Sequence, residues 1–268
     1  MRVLVTGAAG QVGQVLCLGL ADRGHLVVGV DLLPPPEGYD GPWHTADCTD
    51  IDAVLAAVGA QPLDAVVHLA GNAGESSLPE ALTSHAVSTG ALVDAMVEHG
   101  IGRIVYASSN HAVGHTPRPD DDVPVRADAA PRPDTFYGVA KVAAEALLRL
   151  AVDRHGLDAV VCRIGTCAER PTSVRALSTW LSQDDCVRLV EAALTTPAPG
   201  YAVVWGISAN TRAWWALEPG RRLGYQPLDD AEAYADAVEQ TSTDQQEGAV
   251  VGGAFAGDGF VRPALDRG

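Results

Sequence analysis

A short apolar strand, a turn with glycines three residues apart and an apolar helical face open this chain, and together they restrict its fold more than any other stretch. Val3-Leu4-Val5 runs into Thr6-Gly7, then Gly7-Ala8-Ala9-Gly10-Gln11-Val12-Gly13, then Val15, Leu16, Leu18, Gly19 and Leu20 at helical spacing. An apolar run of this length reads as a buried parallel strand. In that setting Gly7 permits the tight turn, Gly10 lets the backbone approach a pyrophosphate, and Gly13 lets the helix pack against the strand. The helix start, at Gln11 and Val12, would offer free N–H groups and a partial positive charge to phosphates. The next strand, Leu26 to Asp31, ends on a carboxylate 18 residues after Gly13. A carboxylate there would bind the adenosine ribose hydroxyls and repel a 2′-phosphate, so NAD is expected rather than NADP. No arginine follows it; Leu32-Leu33-Pro34-Pro35-Pro36 does.

Alternation continues to the end of the patterned region. A short strand is expected around Trp43 to Cys48, with Asp47 and Cys48 at its end near the adenine. Asp47 could equally cap a helix from about Ile51 to Val58. Asp64 to Gly71 forms a fourth strand, delivering Leu69, Ala70, Gly71 and the following Ala73 to the carboxyl edge where open sheets bind ligands. His68 within it is expected to be a packed core histidine. One long helix follows, from about Pro79 to Glu98, with His85 inside it. Arg103 to Ser109 is the fifth strand, and it brings Ser109, Asn110 and His111 to the same edge. His115 to Pro133 has no periodicity and reads as a surface loop lining a substrate entrance. A helix from Thr135 to about Arg154, a strand from Asp158 to Ile164, a helix from Asp184 to Leu194 and a strand from Tyr201 to Trp205 complete the pattern. A short helix over Asp230 to Val238 precedes a tail, after Thr241, expected to be weakly structured. The fold class is therefore α/β, a doubly wound, mostly parallel Rossmann sheet in one domain. Residues 1–165 should mainly bind NAD, and residues 166–268 should mainly form a small interleaved substrate lobe.

Composition narrows the function. Hydrophobic residues make up 47% of the 268 and charged residues 19%, which fits a well-buried globular chain. A formal charge of -16 argues against nucleic acid and anionic membranes as partners. Five cysteines at 17, 48, 162, 167 and 186 have no metal spacing and read as reduced thiols; no metal is expected. No signal peptide or membrane span is evident, so the cytoplasm is the expected compartment.

Tyr137 and Lys141 lie four apart, on one face of a helix. Lys141 is the only lysine; the remaining 17 of the 18 basic residues are arginine. A compact ammonium beside a phenol would lower its pKa and make it a usable base at neutral pH. With Ser109 at the end of strand five, the three form one constellation.

The glycine spacing, Asp31, Ser109, Tyr137 and Lys141 resemble the extended short-chain dehydrogenase/reductase superfamily over roughly the first 170 residues. That resemblance implies Tyr137 as general base, Ser109 positioning the reacting hydroxyl, and Lys141 holding the nicotinamide ribose and lowering the Tyr137 pKa; Ile164 would border the cofactor. Longer runs resemble uronate dehydrogenases, which oxidise the anomeric carbon of a hexuronic acid to an aldarolactone with NAD. They include Ala107-Ser108-Ser109-Asn110-His111, Arg163-Ile164-Gly165-Thr166-Cys167, Arg175 to Asp185, and Val203 to Asn210. This resemblance implies that Arg175 grips the sugar carboxylate, for which a guanidinium fork is suited. It also implies that Asn110, His111, Thr166 and Ala73 border the sugar. Relatives usually carry serine at the positions of Ala73 and Thr166 and asparagine near His85. With alanine at position 73 the hydrogen bond of that serine hydroxyl is missing, which would weaken or alter substrate choice without abolishing the chemistry. A dehydrogenase for another sugar or hydroxy acid, a nucleotide-sugar epimerase and a non-catalytic NAD-sensing regulator remain alternatives. Small residues on the two long helices, among them Ala91, Ala95, Ala140 and Ala144, suggest a homodimer built on that pair.

Overall fold

The computed structural model describes residues 1–120, 123–257 and 259–260. Parts of the expected entrance loop (121 and 122) and of the tail (258 and 261–268) lie outside the described residues. Among the described residues, seven parallel strands form one sheet in the order β3-β2-β1-β4-β5-β6-β9. These are β1 (Arg2–Thr6), β2 (Leu26–Asp31), β3 (Trp43–Thr45), β4 (Ala65–His68), β5 (Arg103–Ser109), β6 (Asp158–Ile164) and β9 (Tyr201–Gly206). The strand order reverses beside β1, so the carboxyl ends of β1 and β4 flank the crevice where such sheets receive ligands. A two-stranded pair, β7 (Thr166–Cys167) with β8 (Trp180–Leu181), sits just beyond β6.

Helices cover both faces, which is why the strands are apolar throughout instead of alternating. Val3 and Val5 of β1 and Val160 and Cys162 of β6 face α1 (Gln11–Asp22) and α7 (Gln183–Thr195). Leu4, Ala159 and Val161 face the other way, toward α2 (Ile51–Gly59), α4 (Ser88–Glu98) and α5 (Phe136–His155). Asp50 caps α2, accepting from Asp52 N at 3.0 Å and Ala53 N at 3.2 Å. Asp47 does not cap that helix: it accepts from Thr49 N and Thr49 Oγ1, each at 2.8 Å.

One expectation is refined and two are corrected. The helix expected from Pro79 to Glu98 is present as a continuous run of α3 (Leu78–Leu82), a π turn over Thr83–Val87, and α4. The extra residue in the π turn carries His85 toward the edge of β4; such turns recur at functional sites. The stretch from His115 to Pro133 is not purely a surface loop. Val125 and Ala127 are buried, and the Trp205 indole donates to Val125 O at 2.9 Å. Arg163, paired with Glu145 in the interior at 2.7 Å, also donates to Ala127 O and Ala129 O. Lastly, the tail is structured. A short helix α9 (Asp244–Glu247) follows the short α8 (Glu218–Arg222), Pro117 bridges to Val250, Val251 is fully buried, and a 3-10 turn covers Gly253–Ala256.

Candidate active site

The glycine turn is built by close approach. Gly7 has φ +69°, and a Cβ there would press to 2.8 Å from Ala70 N. A Cβ on Gly13 would collide with the Gly7 carbonyl, because strand and helix are that close. Gly10 begins α1 with no side-chain cap and no acidic residue in the first turn, so the leading N–H groups remain for an anion. Asp31 braces the turn by accepting from Ala9 N at 2.9 Å and from Leu33 N at 3.0 Å. A cavity of about 560 Å³ runs along this edge. It gathers the expected cofactor residues Gly7, Gly10, Gln11, Val12, Gly13, Asp31, Asp47, Cys48, Leu69, Ala70 and Gly71, and also Ala73. Its size, its uncapped helix start and the carboxylate at its far end fit a dinucleotide. Tyr137, Lys141 and Ile164 do not line it. Ile164 stands beside Ser109 in the β5–β6 register.

Tyr137, Lys141 and Ser109 meet at the carboxyl end of β5. Thr135 caps α5 by accepting from Gly138 N at 2.9 Å, and the Glu75 carboxylate accepts from Phe136 N at 2.9 Å and Tyr137 N at 3.1 Å. The start of the helix is thereby fixed from two sides. Lys141 is buried, donates to Ala107 O at 2.7 Å, and its Nζ sits 5.4 Å from the Tyr137 ring centre. Burial pushes its ammonium down to about 7, against the pull of Glu145 one turn further on. The Tyr137 phenol is shifted upward by burial, and the hydrogen bond from Ser109 partly opposes this. The lowering expected from Lys141 is therefore not what sets this phenol: burial raises it, and Ser109 is the group that pulls it down.

Two histidine rings stand edge-on to Tyr137. His85 lies 5.1 Å away between ring centres and His111 lies 6.0 Å away. His85 Nε2 is 2.9 Å from Asn72 O, so that nitrogen carries the hydrogen, while Nδ1 is buried without a partner among the described residues. Burial and the Lys141 charge push its pKa down to about 3. Gly71, at φ +145°, leaves the space that this ring fills. His68 is the packed residue expected: it is fully buried, 2.7 Å from Thr6 Oγ1, and its pKa is pushed down to about 3, chiefly by burial.

The residues expected on the sugar side converge through the tail. Asn110 donates to Val251 O at 3.1 Å, and Arg175 donates to the same carbonyl. Arg175 precedes α6 (Ala176–Thr179); desolvation lowers its pKa, with Asp134 and Glu247 opposing the shift, and among the described residues its Nε has no partner. Gly253, at φ +64°, packs against that guanidinium. Phe255 stands edge-on to His111 at 4.9 Å. Thr166 is held 3.0 Å from Thr179 Oγ1, between β7 and α6. Sequence reasoning missed Glu75, Asp134, Val251 and Phe255. Val251 acts through its backbone carbonyl, which leaves no side-chain signal; Asp134 stands three residues before Tyr137 and was readable as a neighbour of the helix start.

Residues 3–168 match the NAD dependent epimerase/dehydratase family. A uronate dehydrogenase of Agrobacterium fabrum is 39% identical over 242 residues, 90% of this chain and 89% of that one. A uronate dehydrogenase of Pseudomonas putida is 36% identical over 260 residues, 95% of each chain. The crystal structure of a mutant uronate dehydrogenase from Agrobacterium tumefaciens complexed with NAD superposes with a TM-score of 0.88 at 36% identity, covering 97% of this chain and 98% of that one.

Proposed function

This chain belongs to the NAD dependent epimerase/dehydratase family, and we propose that within it the protein oxidises the anomeric carbon of a hexuronic acid, glucuronate or galacturonate, to the aldarolactone with NAD. What carries this reading is the half-buried Arg175 guanidinium, tied through the Val251 carbonyl to Asn110. A cation partly withdrawn from water, whose Nε finds no partner among the described residues, calls for an anionic partner. The uronate dehydrogenases among its relatives point to the same substrate class. Gly7, Gly10, Gln11, Val12, Gly13, Asp31, Asp47, Cys48, Leu69, Ala70 and Gly71 would hold the dinucleotide, with Tyr137, Lys141 and Ile164 at its reactive end. The nicotinamide, when bound, supplies the hydride acceptor.

The side chains divide the remaining work. Arg175 binds the carboxylate and orients the pyranose, with Asn110, His111, Thr166 and the Ala73 loop bordering the sugar. Ser109 hydrogen-bonds the anomeric hydroxyl and Tyr137 together. Tyr137, once deprotonated, takes the proton from that hydroxyl as the carbon–hydrogen bond breaks, and the C1–oxygen bond becomes the lactone carbonyl. Lys141 would hold the cofactor ribose. Residues 1–165 serve mainly the cofactor and residues 166–268 mainly the sugar. Among the described residues no helix is long and apolar enough to cross a membrane. A cytoplasmic homodimer on the α3–α4 and α5 helices completes the reading; Val87, Val139 and Leu150 are exposed apolar positions there.

The test is NADH formation by purified protein with NAD and either uronate, with glucose and galactose as uncharged controls. Turnover on the acids and little on the neutral sugars is expected. Equal turnover on both, or silence on both uronates, would overturn the assignment. NAD that stays bound through purification and does not exchange would favour an epimerase instead.

A further inference from the structure

Asp134 is a buried carboxylate, 1% exposed, at the centre of the sugar side. Its Oδ1 and Oδ2 lie 3.0 and 2.9 Å from His111 Nδ1, and Oδ1 accepts from Thr135 Oγ1 at 3.2 Å. Two glycines from distant parts of the chain make room for it. A Cβ on Gly114 or on Gly252 would collide with Oδ2. One carboxylate thus touches the turn after β5, the start of the Tyr137 helix and the tail, and it acts electrostatically on Arg175. A carboxylate against an imidazole nitrogen requires that nitrogen to carry the hydrogen. His111 therefore bears its hydrogen on Nδ1, and Nε2, across the ring, is the atom left for a ligand. The ring is clamped between Tyr137 and Phe255, at 75° and 76° to their planes.

We propose that Asp134 is a positioning residue for uronate oxidation: it locks His111 in the Nδ1–H form and aims Nε2, as an acceptor, at a hydroxyl of the sugar ring beside the carbon that Tyr137 acts on. The inference rests on the uronate reading above. The residue acts through His111 and touches neither the reacting bond nor the cofactor.

A double-mutant cycle and one spectrum test this. Asp134→Asn should lower kcat/KM for glucuronate about tenfold, mostly through KM, with the KM for NAD unchanged. In a His111→Gln background the same change should cost less than about twofold more, since the orienting partner has nothing left to orient. Equal losses in both backgrounds would mean that Asp134 merely supports the fold, and the proposal would be wrong. The second readout needs no variant to survive: ring-nitrogen NMR of His111 in the wild-type protein, at a pH where the ring is neutral, should show hydrogen on Nδ1. Hydrogen on Nε2 would overturn the proposal. If the wild type is silent on both uronates, the substrate reading falls and this role with it; an active wild type with additive losses removes the Asp134 role alone.

Discussion

The cofactor side and the sugar side of this cleft are built in opposite ways. Gly7, Gly10 and Gly13 fall within one strand, one turn and one helix, and the brace that holds them, Asp31, ends the next strand. The sugar side draws Asn110 and His111 from the turn after β5, Asp134 from the approach to α5, Arg175 from the start of α6, and Val251 from 141 residues beyond Asn110. The first demand is local: a backbone must come close to another backbone, and only glycine allows it, so the requirement is written into residue identity. The second is met by carbonyls and packed rings whose partners are arbitrary in sequence.

Substitutions can break or sharpen that contrast. The largest effect should come from neither side but from the point where they meet. Tyr137→Phe removes the general base and should lower kcat by about 10²- to 10⁴-fold, while the dissociation constant for NAD, followed by fluorescence, changes little. Near-normal turnover would remove Tyr137 from the mechanism. Arg175→Ala should come next, raising the KM for uronates by about 10- to 100-fold through loss of charge-assisted hydrogen bonds. Neutral-sugar oxidation should hardly change; an equal loss there would deny Arg175 its carboxylate.

Two glycine variants test the contrast directly. Gly13→Ala drives a Cβ into the Gly7 carbonyl and Ala8 backbone, neither of which can swing away. It should cost about 1–3 kcal/mol of stability and weaken NAD binding. Gly253→Ala places a side chain at φ +64° against Arg175, whose flexible chain can yield. It should cost about 1 kcal/mol, raise the uronate KM severalfold and leave NAD affinity alone. Thermal denaturation and separate KM values for the two substrates decide between these outcomes; a shared defect in NAD affinity would erase the division between the sides.

The smallest effect concerns pH. Tyr137 must be deprotonated to accept a proton, so kcat/KM should climb with pH up to the phenol's own pKa. Ser109 holds that pKa below where burial alone would set it. Ser109→Ala should therefore move the midpoint of the rise to higher pH, by up to about one unit if the hydrogen bond is of ordinary strength, and reduce the rate at neutral pH. A profile that keeps its midpoint would show that Ser109 only positions the substrate.

The glycine turn, Asp31, the seven-strand alternation and the spacing of Tyr137 and Lys141 were legible in the chain because each follows from a local rule of backbone or helix geometry. Those rules act over a few residues, so the residues themselves carry them. Tertiary structure alone decided the rest. It inserted the π turn that turns His85 onto Tyr137, buried Lys141 enough to bring its ammonium down to about 7, and folded the tail until Val251 met Asn110 and Arg175. Desolvation and backbone acceptors depend on what packs nearby in space, and no run of neighbouring residues records that.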